Sequence, residues 1–256
     1  MYDALARHRS IESIVTRDTA QGQLRKYYRF RADRWYGGIA TADVVGCGML
    51  CKFCWVSESI LERPGSSGQF LAPMVVAQKL MRVAIGKCVV QMRLSGGEPT
   101  IGRSHLLSVL TEIEEQQRFR FILETNGILL GADPTYCAEL AAFRCLHVRV
   151  SLKGSFEDEF EKLTGAKGEG FKQQLEALRN LSEAGVSCHP AVMSSFSTQS
   201  NVCQLRDRIS RIEQKLANDL ELEEIIRYPR VDRRLQKFNL TPSVSHDPRN
   251  IPERLI

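Results

Sequence analysis

The sequence predicts an α/β protein built around a parallel sheet, and three observations point there. Short apolar runs of strand length alternate with segments whose apolar residues recur at helical spacing. The alternation continues over most of the chain, which favours right-handed strand–helix–strand crossovers. Polar interruptions follow the strands, at the carboxyl ends where such sheets gather ligands. With 256 residues, 43% of them hydrophobic, the chain can bury one large core.

A first strand is expected over 39–45, running into a cysteine-containing loop. Helix 73–85 follows, with Val75, Val76, Leu80, Val83 and Ala84 at helical spacing. The second strand, 89–94, ends in paired glycines. Ser104 is a candidate cap for a helix striped by Leu106, Leu107, Val109, Leu110 and Ile113. Strand 119–123 leads to Glu124-Thr125-Asn126-Gly127, and a short helix spans 134–142. Strand 145–152 ends near Ser151 and Lys153. Phe171, Leu175, Leu178 and Leu181 mark an amphipathic helix stopped by Gly185. Strand 186–193 carries His189. A helix over 201–216 and a sixth strand over 222–227 complete the alternation. Residues 1–34 read as a basic N-terminal extension, 35–237 as the core domain, and 238–256, with Pro242, Pro248 and Pro252, as an irregular tail.

The chemistry is concentrated in Gly46-Cys47-Gly48-Met49-Leu50-Cys51-Lys52-Phe53-Cys54-Trp55. One short loop presents three thiols at C-x3-C-x2-C spacing. Thiolates are the usual ligands of iron–sulfur clusters, and a cubane normally takes four. Three ligands leave one iron open to a small molecule. A zinc ion would need a fourth ligand from elsewhere, so a non-catalytic zinc- or iron–sulfur-binding module is the bland alternative. The second motif is Ser95-Gly96-Gly97-Glu98-Pro99 at a strand end. Its glycines permit close backbone approach, and its proline fixes the exit.

On these two motifs the chain resembles the radical S-adenosylmethionine (SAM) enzymes, whose signature C-x3-C-x-φ-C has an aromatic residue where Phe53 stands. The resemblance implies a partial, six-repeat (β/α)6 barrel and a [4Fe–4S] cluster on Cys47, Cys51 and Cys54. It implies SAM bound by Phe53, Gly96, Gly97, Glu98, Pro99, Glu124, Asn126, Ser151, Lys153 and His189. It also implies a one-electron reductant, flavodoxin or ferredoxin. The reaction would be reductive cleavage of SAM to methionine and a 5′-deoxyadenosyl radical, which takes hydrogen from a substrate. Within the superfamily, residues 43–193 are most similar to the activating enzymes of glycyl radical enzymes, which implies a protein substrate. Trp55, Ser151, His189 and Tyr228-Pro229-Arg230 depart from that group.

Several of these residues have a plainer reading. Asn126-Gly127 also suits a turn, Lys153 a solvated loop, and His189 a satisfied core histidine. Cys88, Cys137, Cys145, Cys188 and Cys203 are scattered and suit small buried hydrophobes. Eight cysteines with this spacing suit a reducing cytoplasm, and no apolar run reaches membrane-spanning length. The net charge is +5, with eight basic against four acidic residues over 1–34. Tyr27, Tyr28, Phe30, Trp35 and Tyr36 interleave with Arg25, Lys26, Arg29 and Arg31. Basic residues among aromatics are what single-stranded nucleic acid binding uses, so a tRNA-modifying enzyme of the wybutosine type is an alternative. A segment packed on the core with its charges solvated is the favoured reading, which leaves a protein or small molecule as substrate.

Overall fold

The computed structural model describes all 256 residues. Helix α1, Ala4–Val15, opens the chain, capped by Asp3, whose carboxylate accepts the Ala6 N–H at 2.9 Å. Strands β1, Thr16–Thr19, and β2, Gly22–Asp33, form a hairpin, and β3 is Ile39–Val44. Then come α2, Glu58–Glu62; β4, Gln69–Leu71; α3, Pro73–Gly86; β5, Gln91–Gly96; α4, Arg103–Glu114; and β6, Arg120–Thr125. The chain continues through α5, Ile128–Ala132; α6, Pro134–Leu140; β7, Leu146–Leu152; α7, Glu157–Thr164; α8, Glu169–Glu183; and β8, Cys188–Met193. It closes with α9, Gln199–Ser210; α10, Gln214–Asn218; β9, Glu221–Glu223; β10, Ile225–Ile226; α11, Pro229–Lys237; and β11, Ser245–His246.

Strands β3, β5, β6, β7, β8 and β9 are parallel neighbours in chain order, the six repeats of a partial barrel. The antiparallel β2 extends the β3 side, with β1 and β4 paired to it. Residues 1–34, expected as a basic extension, thus enter the sheet through the β2–β3 ladder. The expected sixth strand 222–227 divides. Its second half, β10, leaves the sheet to pair with β11 in the tail. The helix expected over 201–216 is also divided, into α9 and α10.

Alternation along the strands sorts residues to two faces. Ala40, Ala42 and Val44, Met92 and Leu94, Phe121 and Leu123, and Val148, Val150 and Leu152 join one apolar core with residues of α3, α4, α8 and α9. Full burial of each large side chain there stabilises the fold by about 1.5–3 kcal/mol. Apart from residues such as Ile122 and Ala191, the intervening positions are polar: Thr41 and Asp43, Arg93 and Ser95, Glu124, Arg149 and Ser151, His189, then Glu221 and Glu223. No helix of the structure is long and apolar enough to cross a membrane.

Candidate active site

The loop after β3 and the segment after β5 are built against each other. Gly97 N–H donates to the Val44 carbonyl at 2.8 Å, and Glu98 N–H donates to the Gly46 carbonyl at 2.8 Å. The parallel ladder therefore continues beyond both strands. A side chain on Gly97 would place its Cβ 2.2 Å from the Gly46 carbonyl oxygen. Gly96 and Gly46 both have positive φ, +88° and +85°, which glycine adopts without strain. The two sequence motifs thus form one wall.

Within the loop, the Cys47 sulfur accepts the Met49 N–H at 3.4 Å, and the Cys54 sulfur accepts the Val56 N–H at 3.4 Å. All three cysteines are free thiols. Helix α7 holds the loop through Lys52 N–H, which donates to the Leu163 carbonyl at 2.8 Å. Helix α11 holds it through Arg234, which donates to the Cys51 carbonyl at 3.4 Å and the Val56 carbonyl at 3.3 Å. Phe53 is buried with its ring 5.6 Å from that of Phe196, so in this structure it packs in the core. Pro99 is buried.

Burial pushes all three thiols up, Cys51 to about 12. The charges of Glu98 and Cys51 raise Cys47 further. Lys153 and Arg234 act the other way on Cys51 and Cys54. The Nε of Arg234 is buried without a hydrogen-bond partner. These residues suit a bound group that keeps three sulfurs ionised and takes charge from nearby cations. No three His, Cys, Asp or Glu side chains converge on one ion position. A cubane asks for one iron per thiolate, and the donor set of three soft thiolates fits it.

The strand-end residues are largely engaged with one another. The Glu98 carboxylate accepts from Thr100 N–H at 3.0 Å and from the Thr100 and Thr125 hydroxyls, each at 2.7 Å. It also accepts the Asn126 N–H at 2.8 Å. Glu98 therefore ties the end of β5 to the end of β6. Glu124 accepts from Tyr36 at 2.8 Å, Arg93 at 2.6 Å and Ser95 at 2.9 Å. Burial works against its charge, but Arg93 and Arg149 outweigh burial and lower its pKa. Asn126 reaches Cys47, with Nδ2 3.6 Å from the sulfur. Ser151 accepts from Arg149 at 3.1 Å, and Lys153 N–H donates to Gln174 at 3.1 Å.

His189 stands elsewhere than expected. It is the second residue of β8, at the amino end of the strand, in register with Arg149. It contacts His147 at 2.6 Å and Glu221 at 3.1 Å. The sheet's stagger puts it in the row of Arg149 and Glu124, below Ser151. The sequence placed it on the correct strand but could not supply the stagger.

Four residues of the site are absent from the sequence's candidates for cluster and SAM binding. Arg93 bridges Glu124 at 2.6 Å and Asp33 at 2.9 Å. Arg149 pairs with Glu221 at 2.7 Å and Glu223 at 2.9 Å. Tyr36 and Arg234 complete the set. A charge inside an apolar strand was the available signal for both strand arginines. The nucleic-acid set divides between buried and partly exposed positions. Arg25, Lys26 and Tyr27 are buried, and Arg25 donates to backbone carbonyls at Ile101 and Glu98. Arg29 and Arg31 pair with Asp43 at 2.6 and 3.0 Å.

Comparison with known proteins agrees with this geometry. A sequence profile of the radical SAM superfamily matches residues 43–198. Mycofactocin maturase MftC of Mycobacterium ulcerans is 29% identical over 163 residues, 63% of this chain and 40% of the relative. A GTP 3',8-cyclase of Mycobacterium marinum is 29% identical over 143 residues, 55% of this chain and 37% of that one. The chain thus spans about two fifths of the length of these relatives. In fold it is similar to SuiB of Streptococcus suis, solved with S-adenosylmethionine, at a TM-score of 0.53 and 16% identity. That match covers 77% of this chain and 47% of SuiB. A mutant of spore photoproduct lyase aligns at a TM-score of 0.59 and 16% identity, covering 94% of this chain and 70% of that one. The chain belongs to the radical SAM superfamily, whose members use a [4Fe–4S] cluster and SAM.

Proposed function

We propose that the chain binds the cluster through Cys47, Cys51 and Cys54, binds SAM against Gly96–Pro99, and abstracts hydrogen from a peptide or protein. The observation that carries this reading is the Gly46–Gly97 contact, which joins the three-thiol loop to the glycine segment in one wall. When bound, the cluster would supply the single electron for reductive cleavage of SAM to methionine and a 5′-deoxyadenosyl radical, which would take the substrate's hydrogen. The chain's residues position and shield. Backbone groups at 96–97 would receive the methionine part of SAM, while Glu98 holds the ends of β5 and β6 in place. Asn126, Ser151 and Lys153 border the same rim, with Lys153 offsetting thiolate charge at Cys51 and Cys54. Glu124 is held as an anion by Arg93, ready to accept from SAM. Flavodoxin or ferredoxin is the reductant this chemistry needs.

The substrate class draws on the relatives. One is named a maturase, and SuiB has been solved with its precursor peptide SuiA. None of those described is an activating enzyme, so the proposal stops at a peptide or protein without the activating role. The test is anaerobic incubation with dithionite and SAM, with 5′-deoxyadenosine as the readout. Slow formation without substrate is expected, abolished in Gly97→Ala and in Cys51→Ala. No product from an iron-loaded wild type would sink the reading. Stimulation by GTP and not by peptides would replace the substrate class with a nucleotide.

A further inference from the structure

We propose that His8, on a helix outside the superfamily match, is a positioning residue that fixes the Asn126 amide as a hydrogen-bond donor to the Cys47 sulfur. The inference rests on the reading that Cys47 is a cluster ligand. His8 is fully buried on α1, and its Nδ1 lies 2.6 Å from the Ala4 carbonyl oxygen. A carbonyl only accepts, so Nδ1 carries the proton and Nε2 presents its lone pair. Nε2 lies 3.0 Å from Asn126 Nδ2, which must donate to it. At the other end of the amide, Asn126 Oδ1 accepts the Ile128 N–H at 3.0 Å. The amide is thus oriented from both ends. The remaining Nδ2 hydrogen serves the Cys47 sulfur at 3.6 Å.

The packing shows that the imidazole is built into the loop. A Cβ on Gly48 would lie 2.0 Å from His8 Nδ1, so the residue after Cys47 leaves room for the ring. Ile11 and Val15, further along α1, stand 2.9 Å from where a Gly46 Cβ would be. A donor to a ligand sulfur withdraws charge from it and favours the reduced cluster, which raises its midpoint potential. His8 touches no thiol, and its effect passes through Asn126.

The test is an EPR-monitored redox titration of the anaerobically loaded protein. Wild type is compared with His8→Phe, His8→Gln, Asn126→Ala and the His8→Phe/Asn126→Ala double variant. His8→Phe and Asn126→Ala should each shift the reduced-to-oxidised ratio at a fixed potential threefold or more toward oxidised. A tenfold shift would be about 59 mV for one electron. His8→Gln, whose Oε1 can accept from Asn126, should return toward wild type. The double variant should shift no further than Asn126→Ala. Wild-type potential in either single variant, or additive shifts in the double, would overturn the inference. If His8→Phe does not fold, an unshifted Asn126→Ala is sufficient to overturn it. A wild type without iron and sulfide would overturn both this inference and the cluster reading, whereas a normal cluster with unshifted variants removes the inference alone.

Discussion

At the residue scale, the site depends on a few atoms with no slack. The Glu98 carboxylate accepts four hydrogen bonds from three residues while almost wholly buried. Glu98→Gln replaces one acceptor oxygen by an NH2 facing those donors. It should destabilise the fold by about 2–4 kcal/mol, the range for stranding buried groups bonded to a charge. Urea unfolding would check this, and SAM affinity should weaken while iron is retained. Retained affinity and stability would show that Glu98 is an ordinary turn residue. Gly97→Ala should be worse for SAM, because its Cβ would need backbone to move. These residues were legible as types and spacing: three cysteines, two glycines and an acid. What Glu98 does was not legible, because its partners Thr125 and Asn126 come from the next strand. His189 shows the same limit. Its strand was readable, but its row depends on the stagger between β7 and β8.

At the element scale, three helices absent from the sequence's predicted elements, α1, α7 and α11, clasp the cysteine loop. Helix α1 brings Leu5, His8, Ile11 and Val15 to one side, but His8 and the charged residues between them blur that stripe. Helix α11 has four basic residues in nine, which reads as solvated surface. Yet Arg234 is buried and spans the carbonyls of Cys51 and Val56. Arg234→Leu should cost about 2 kcal/mol by leaving those carbonyls unpaired, and it should shorten iron retention under air. Unchanged melting temperature and iron half-life would contradict the clasp. Strand β2 was hidden for a related reason. Its sequence Arg25-Lys26-Tyr27 looks exposed, but tertiary packing buries all three, with the Lys26 ammonium donating to the Pro64 carbonyl at 3.1 Å.

At the scale of the whole molecule, six parallel strands divide the protein into an apolar face against helices and a face of paired charges. The alternation that predicts the fold class is carried by the first face, and the second was only partly visible as single charges inside apolar runs. Acid sensitivity draws in part on histidines held neutral in the fold, His105 fully buried and His147 half-buried. Burial pushes His105, which bonds Tyr27 and Gln23, down to about 4. Burial and the neighbouring His189 hold His147 at about 4. Between pH 6.5 and 4 the unfolded chain binds these protons and the native state does not, so stability rises with pH across that window and is lost on acidification. His105 alone accounts for up to roughly 3 kcal/mol. Unfolding free energy at pH 7.5 and pH 5 should differ in that direction, and His105→Phe should flatten the slope. A flat profile in the wild type would contradict the burial account.

The central claim is that Cys47, Cys51 and Cys54 hold a cluster with one iron left for SAM. The EPR spectrum of the dithionite-reduced protein, taken with and without SAM, tests it most directly. A reduced [4Fe–4S] signal that changes on SAM addition, and is absent in Cys51→Ala, is the expected result. A protein with no cluster signal, or with a signal that SAM does not perturb, would contradict the claim.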